Sequence, residues 1–472
     1  MNFRYSLAFL FGALFLLGSC NKYLDVQPEA AYTEVQVYSN EAALQQAFNG
    51  LYIDLSSRSL YGANLSTTLV ELLAQRYKPM NDGGYGLSVF NRYTYSSQVA
   101  INHLDTLWRK SYSLILATNL FLSRIDNSIS GRVISETNGQ LLKGEALAIR
   151  AMMHFDLLRL FGPVYATGSA QPAIPYYTVA DGKMQPVLPA TEVMDKVMTD
   201  LREAVSLLAN DPVISQGIVA GTDFYGSARN QRLNYFAVKA LMARAFLWSG
   251  NKQAAHDAAL SVLTEGEKWF PWVSTEAVTT GTNPDRIFAP EILFSIYNQQ
   301  LYNQYDQYFN PSLLDGYILV PDPLRLTEVY EGFQQDYRFV QTWLIGGGKT
   351  YRSSYKYAPI AASASWRFLQ PLLRKSELYF ILAETDPDPA AGLDYLNTAR
   401  RRRGLANLGS TVSLSAELRK EYQKEFWGEG QLFFFYKRIN ANNVPDAGLP
   451  YVWATVAPTY MVPLPLSETS TR

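Results

Sequence analysis

Leu233 to Leu263 reads LNYFAVKALMARAFLWSGNKQAAHDAALSVL. Apolar residues recur at Leu233, Phe236, Ala237, Ala240, Leu241, Leu247 and Trp248, the i, i+3, i+4, i+7 spacing that puts one stripe on an α-helix. Gly250 suits the left-handed conformation that ends a helix, and Asn251 suits the cap of a second helix that buries Ala255, Ala258, Ala259 and Val262. Alanines on both facing stripes let two antiparallel helices come close. A single hairpin cannot bury both of its own faces, so the sequence predicts helical neighbours.

Those neighbours are legible outward in both directions. The aromatic, the glycine turn and the paired alanines resemble a tetratricopeptide-type hairpin. Before it, apolar spacing predicts helices over Glu41–Leu55, Thr68–Ala74, Leu104–Ile125 and Val193–Leu208, and another from a capping box at Thr137 and Gln140 to a stop at Gly162-Pro163. After it, helices are expected over Leu372–Ala383, Ala390–Arg403 and Leu414–Trp427, followed by a proline-punctuated irregular tail. Between them, residues 268–366 read as strand and loop, with a β-hairpin over Phe339–Tyr357 turning at Gly346-Gly347-Gly348. The expectation is a mainly α single domain over 20–472, its helical scaffold lying mainly in 40–263 and 371–430, with a loop-rich, partly β insert at about 268–366.

With 472 residues, 48% hydrophobic and 18% charged, the composition is ordinarily globular. A net charge of −1 gives no basic face for nucleic acid, which is excluded as a partner. Tyrosine is abundant, at 32 copies beside 24 Phe and 8 Trp, so many rings must reach the surface, where tyrosine can stack and hydrogen-bond at once. At the start, Asn2 and Arg4 precede an apolar run from Leu7 to Leu17 and then Leu17-Gly18-Ser19-Cys20. The run is too short for a normal membrane span. It resembles a bacterial lipoprotein signal, which makes residues 1–19 a signal peptide and Cys20, the only cysteine, the lipidated first residue.

Across its length the chain resembles the SusD/RagB family of surface lipoproteins. The residues that carry the likeness are Cys20-Asn21-Lys22-Tyr23-Leu24-Asp25, then Trp108, Tyr112 and Asn119, then Glu145-Ala146, Arg150-Ala151, Asp156-Leu157 and Phe161-Gly162-Pro163. Arg374, Glu377, Glu384, Leu396-Asn397, Arg400, Gly404, Glu425-Phe426, Glu429-Gly430 and Val462-Pro463-Leu464-Pro465 follow in order. The chain departs from the family pattern at Tyr422, Gln431 and Phe434, where arginine, arginine and aspartate are usual. The resemblance implies four tetratricopeptide-like hairpins in a right-handed scaffold, with a variable part holding the ligand site. It also implies a non-catalytic protein that is lipid-anchored on the outer membrane and exposed at the cell surface. Such a protein captures a nutrient, most often an oligosaccharide or polysaccharide, and acts as a lid on a SusC-like TonB-dependent transporter. The implied activity needs no cofactor or metal, with calcium the one ion left open. The rival readings are a lipid-anchored scaffold for envelope proteins, peptide in place of glycan as cargo, and a surface glycosidase.

Catalytic motifs are missing from the sequence. His103, His154 and His256 form no H-E-x-x-H pair, there is no G-x-S-x-G, and Trp343 stands where a phosphate loop ending in Gly348-Lys349-Thr350 needs its first glycine. A glycosidase needs two carboxylates, but Glu377 with Glu384 and Glu425 with Glu429 sit at helix spacings, where pairing with arginines such as Arg374 or Arg400 is the plainer reading. The run Arg400–Arg403 is read as cations at a helix C-terminus. For binding, flat aromatic faces suit the C–H face of a pyranose, while amide, carboxylate and guanidinium groups suit its hydroxyls. The candidates are Arg76, Tyr77, Asn81, Asp82, Tyr85 and Tyr93 in a glycine-rich loop, with Tyr302, Asn303, Tyr305, Trp343 and Trp366 in the insert. Tyr297, Gln304 and Tyr308 flank the second group.

Overall fold

The computed structural model describes residues 37–78, 85–448 and 454–470; Cys20, Asn81 and Asp82 lie outside them. Helices α1 (Glu41–Leu55), α2 (Gln98–Ser130), α3 (Glu136–Phe161), α4 (Ala190–Leu207), α5 (Tyr235–Trp248) and α6 (Lys252–Gly266) precede the insert, whose longest helix is α7 (Leu301–Tyr308). Then come α8 (Lys375–Thr385), α9 (Pro389–Arg401), α10 (Leu414–Glu425) and α11 (Leu432–Arg438).

The central hairpin forms as its sequence predicts. The Asn234 side chain caps α5 by accepting from Ala237 N at 3.0 Å. Gly250 takes φ +82° in the turn, and Asn251 caps α6 by accepting from Ala254 N at 3.1 Å. Ala255, Ala259 and Val262 are buried, so α6 lies close on α5. Packing then runs from neighbour to neighbour, α2 on α3, α3 on α4, α4 on α5, α5 on α6, α6 on α8 and α8 on α9. This is the stacking that lets helices with apolar faces form one continuous core.

Several residues that carry the family likeness prove to be the pins of this stack. Arg150 on α3 donates to Asp200 on α4 at 2.6 Å and to Asn119 on α2 at 3.0 Å. Glu145 on α3 accepts from buried Arg229 at 2.6 Å, and Arg229 also reaches Asp211. His154 is fully buried: its Nδ1 bonds Arg150 O at 2.9 Å, its Nε2 accepts from Tyr177 N, and its ring stacks on Tyr176. Burial holds this imidazole down to about 3, so it is a neutral structural group.

Strands pair only in twos. β1 (Pro172–Pro175) pairs with β2 (Val187–Pro189), β3 (Ile292–Tyr297) with β6 (Leu369–Arg374), β4 (Trp343–Ile345) with β5 (Arg352–Ser354), and β7 (Val444–Pro445) with β8 (Thr455–Val456), all antiparallel. The β4–β5 hairpin is the one expected, and Gly347 and Gly348 take positive φ in its turn.

Four expectations need correction. Helix α3 is capped by Ser135, which accepts from Asn138 N, so its start lies before Thr137. Leu372 to Arg374 belong to β6, because a fully buried apolar run carries no period that separates strand from helix. The tail holds α11, which buries Leu432 to Lys437. Finally, Arg400 and Arg403 are not solvated helix-end cations. Arg400 donates to buried Glu421 at 2.5 Å, and Arg403 bridges Glu291 and Glu425, each at 2.6 Å.

Arg403 belongs to a buried charge network that joins insert and scaffold. Arg374 at the end of β6 binds Glu425 and Glu429, Arg338 binds Asp336, Glu421 and Glu425, and Lys356 pairs with Glu429. Burial pushes the Glu421 carboxyl up, but Arg338, Lys424 and Arg400 outweigh it and hold it down to about 2. The departures from the family pattern are absorbed nearby. Arg159 donates to Gln431 Oε1 at 3.2 Å and lies 4.1 Å over the Phe434 ring, while Tyr422 stacks on Phe435 at 4.1 Å.

Candidate functional site

Strand β3 ends on Tyr297, which is 45% exposed. The next residue, Asn298, turns the chain: its amide donates to Gln370 at 3.0 Å and its carbonyl accepts from Gln300 N at 3.0 Å. Helix α7 then buries Leu301, Gln304, Tyr305 and Tyr308 and leaves Asn303 and Asp306 exposed. Beside this turn opens a cleft of about 690 Å³, lined by Asn49, Tyr52 and Arg58, by Asp223, Phe224 and Arg232, and by Tyr297, Gln299 and Gln300.

Aromatic rings continue from both ends of the cleft. At one end Arg58 donates to Gln307 Oε1 at 2.5 Å and to the Tyr308 hydroxyl at 2.9 Å. Tyr308 packs on Tyr85 at 5.0 Å, Tyr85 packs on Tyr317 at 5.9 Å, and Tyr85 is fixed by donating to Gln307 O at 2.8 Å. Past Tyr317, Lys349 and Tyr351 both donate to Asp315, at 2.6 and 2.7 Å, and Lys78 lies 4.9 Å over the Tyr351 ring. At the other end Tyr297 meets Phe368 at 5.7 Å, Phe368 meets Tyr302 at 4.7 Å, and Arg367 lies 4.4 Å over Phe368. Tyr302, Trp366 and Phe368 line one shallow recess there.

This surface presents flat apolar rings beside amides and guanidinium groups, the equipment for holding a polar ring from its face and its edge. Its acids are engaged already, Asp54 by Lys110 at 2.6 Å, and Asp223 by the backbone N–H groups of Tyr225 and Gly226. Another cleft of about 630 Å³ runs along α2. There Tyr112 and Asn119 donate to the Pro175 and Tyr177 carbonyls, so they serve the scaffold.

Of the candidates read from sequence, Tyr85, Tyr302, Asn303 and Trp366 come to this surface. Four others are core residues and are corrected. Arg76 is buried beside Glu71, donates to Gln423 O and lies 4.3 Å over Trp427. Tyr77, 1% exposed, donates to Thr67 O, and Trp343, 0% exposed, donates to the Tyr330 hydroxyl. Tyr305 is buried on the inner face of α7. Tyr93 is half-buried and anchors the chain by donating to Leu73 O at 2.9 Å.

A family whose members are described as SusD-like, starch-binding and associating with the outer membrane matches residues 22–217. A SusD-like protein of Formosa agariphila is 27% identical over 263 residues, 54% of this chain and 44% of that protein. A SusD-like protein of Bacteroides ovatus is 25% identical over 203 residues, 42% of this chain and 33% of that protein. The chain thus spans less than half the length of these two relatives. Shape extends the likeness over nearly the whole chain. The crystal structure of a SusD superfamily protein from Bacteroides thetaiotaomicron superposes with a TM-score of 0.72 at 22% identity, covering 91% of this chain and 98% of that one. A laminarin-binding SusD-like protein superposes with a TM-score of 0.64 at 19% identity, covering 92% and 98%.

Residues 22–217 match the SusD-like family, and the chain shares the fold of SusD superfamily structures. In this SusD-like chain, sequence reasoning missed Arg58, Tyr317, Tyr351 and Phe368. Arg58 follows α1 and lies far from the insert in the chain, so nothing local marks it. Phe368 holds φ +66°, a backbone state that a bulky L-residue rarely takes and that sequence does not announce. Tyr317 could have been found by extending the Tyr297–Tyr308 run into the loop that follows.

Proposed function

We propose that this SusD-like protein captures an oligosaccharide or polysaccharide in the cleft between Arg58 and Tyr297, for nutrient uptake and without cleaving it. The observation that carries the reading is a cleft lined by Tyr52, Phe224 and Tyr297 beside amides and guanidinium groups, from which ring contacts run on through Tyr308 to Tyr85 and through Tyr297 to Phe368. Binding without chemistry is supported by the fate of the acids. Glu377 is held by Arg244, Glu384 by Arg438, Glu425 by Arg374 and Arg403, and Glu429 by Arg374. Burial pushes the Glu425 carboxyl up, but Arg403 and Arg374 outweigh it and hold it well below the ordinary carboxylate range, which makes it a poor general acid. No cofactor enters this reading, and among the described residues no group of three His, Cys, Asp or Glu could hold a metal ion.

The cargo is handed on to a TonB-dependent transporter in the outer membrane, with Cys20 as the lipid anchor. Two features fit this role: the lipoprotein-like start, and the absence among the described residues of any helix long and apolar enough to cross a membrane.

The test is calorimetric titration of protein beginning at Asn21 against polysaccharides, oligosaccharides and peptides, with the same mixtures assayed for released products. Saturable heat without product supports capture. Heat with product identifies a glycosidase, peptide binding changes the cargo, and silence across the panel favours an envelope scaffold. Anchoring is tested by labelling with radioactive palmitate, which Cys20→Ala must abolish, and delivery by recovering an outer-membrane barrel with the tagged lipoprotein.

A further inference from the structure

Many guanidinium groups in this chain pair with carboxylates, as in Arg150 with Asp200, Arg244 with Glu377 and Arg438 with Glu384. Arg58 in the cleft wall and Arg367 beyond Tyr297 and Phe368 do not. Arg58 is exposed and bonds only neutral groups, the Gln307 amide and the Tyr308 hydroxyl, and no carboxylate among the described residues pairs with it. Arg367 stacks on Phe368 and lies 5.6 Å over Tyr302, again without a carboxylate, and its Nε is buried with no hydrogen-bond partner among the described residues. A third cation, Arg232, lies 4.4 Å over Phe224 in the cleft wall. It donates to Asn49 Oδ1 at 2.8 Å, and its one ion pair among the described residues is a 3.9 Å approach to Glu145, whose oxygens already accept from Arg229 and Tyr52 at 2.6 Å. The cleft also carries two acids, Asp54, which pairs with Lys110, and Asp223, which accepts from backbone N–H groups, and among the described residues neither forms an ion pair with Arg58, Arg232 or Arg367.

We infer that the glycan taken by this cleft is acidic, a chain carrying carboxylate or sulfate groups that meet Arg58 at one end and Arg367 at the other while its sugar faces lie on Tyr297 and its neighbouring rings. The inference rests on the capture reading above and narrows its substrate class. A planar guanidinium already oriented over an aromatic ring gives a paired, directional bond to either anion.

The test compares three probes of similar length at low and high salt: an oligogalacturonate, a sulfated galactan oligosaccharide and a neutral laminarin oligosaccharide. Acidic chains are expected to bind at least about tenfold more tightly than the neutral one at low salt, with the advantage shrinking as salt screens it. Which acidic arm wins distinguishes carboxylate from sulfate. Arg58→Gln and Arg367→Gln are each expected to lose most of that advantage while the thermal midpoint stays unchanged. Equal, salt-insensitive binding of the neutral probe overturns the acidic assignment and leaves glycan capture standing. Acidic preference that survives both substitutions also overturns it, and silence of all three probes overturns the capture reading together with this one.

Discussion

The guanidinium of Arg403, just beyond the end of α9, donates to Glu291 Oε2 at 2.6 Å across 112 positions of sequence. Glu291 is fully buried immediately before β3 and has Arg403 as its cation, so this contact joins the strand that delivers Tyr297 to the helical scaffold. Arg403→Met strands the Glu291 charge, and the expected loss is about 3–5 kcal/mol of unfolding free energy in urea. Glu291→Gln in the same background should restore part of it. A loss below about 1 kcal/mol would show that the network contributes little.

Lys437 is buried on α11 and donates only to carbonyls at the end of α3, Leu160 O at 3.1 Å and Gly162 O at 2.7 Å. Burial pulls its ammonium down to about 7 from an ordinary value of 10.5. The unfolded chain therefore holds this proton over a range in which the folded one has released it, and stability gains up to about 1.4 kcal/mol per pH unit as pH rises from 7 toward 10.5. The gain is lost as pH falls back to 7. Thermal midpoints measured from pH 7 to 9 should climb more steeply in the wild type than in Lys437→Met; parallel curves would contradict the assignment.

Gly250 has open space around its Cα, yet holds φ +82° in the central turn. Gly250→Ala is thus a test of backbone strain alone and should cost about 1–2 kcal/mol. Asn251→Ala removes the cap on α6 and should cost about 1 kcal/mol. Denaturant titration that finds both variants as stable as the parent would argue against the turn geometry.

The aromatic residues divide by exposure, and substitutions should divide the same way. Trp343→Ala and Tyr77→Ala empty core sites and should each lower stability by about 3–5 kcal/mol. Tyr297→Ala and Tyr317→Ala, at 45% and 36% exposure, should leave the thermal midpoint nearly unchanged and weaken binding of the captured glycan by about tenfold, in line with the worth of an aromatic contact. The reverse outcome, stable cores and unaffected binding, would move the site away from this cleft.

Helices were legible in the chain because a helix is written locally. The stripe from Leu233 to Trp248, the asparagines before each helix of the hairpin and the glycine between them act within a few residues of one another, and they determined α5, α6 and by repetition the stacked scaffold. The Gly346-Gly347-Gly348 turn determined the β4–β5 hairpin in the same way. Leu372 to Arg374 were misread because β6 owes its conformation to β3, some 75 residues earlier, and a run buried on every side shows no period.

Which ring meets water was not written locally at all. Tyr77 and Trp343 sit in loop-like, tyrosine-rich sequence yet close on Trp427, while Tyr85 and Tyr317 in similar sequence stay on the rim. Arg400 and Arg403 look alike in a run of four arginines, but Glu421, Glu291 and Glu425 draw them inward and leave Arg401 on the surface. The sequence by itself determined the helical repeats, because periodicity and caps are short-range. Only the tertiary structure decided which aromatics form the cleft and which cations remain unpaired there, because burial and charge pairing depend on partners that folding brings from hundreds of residues away.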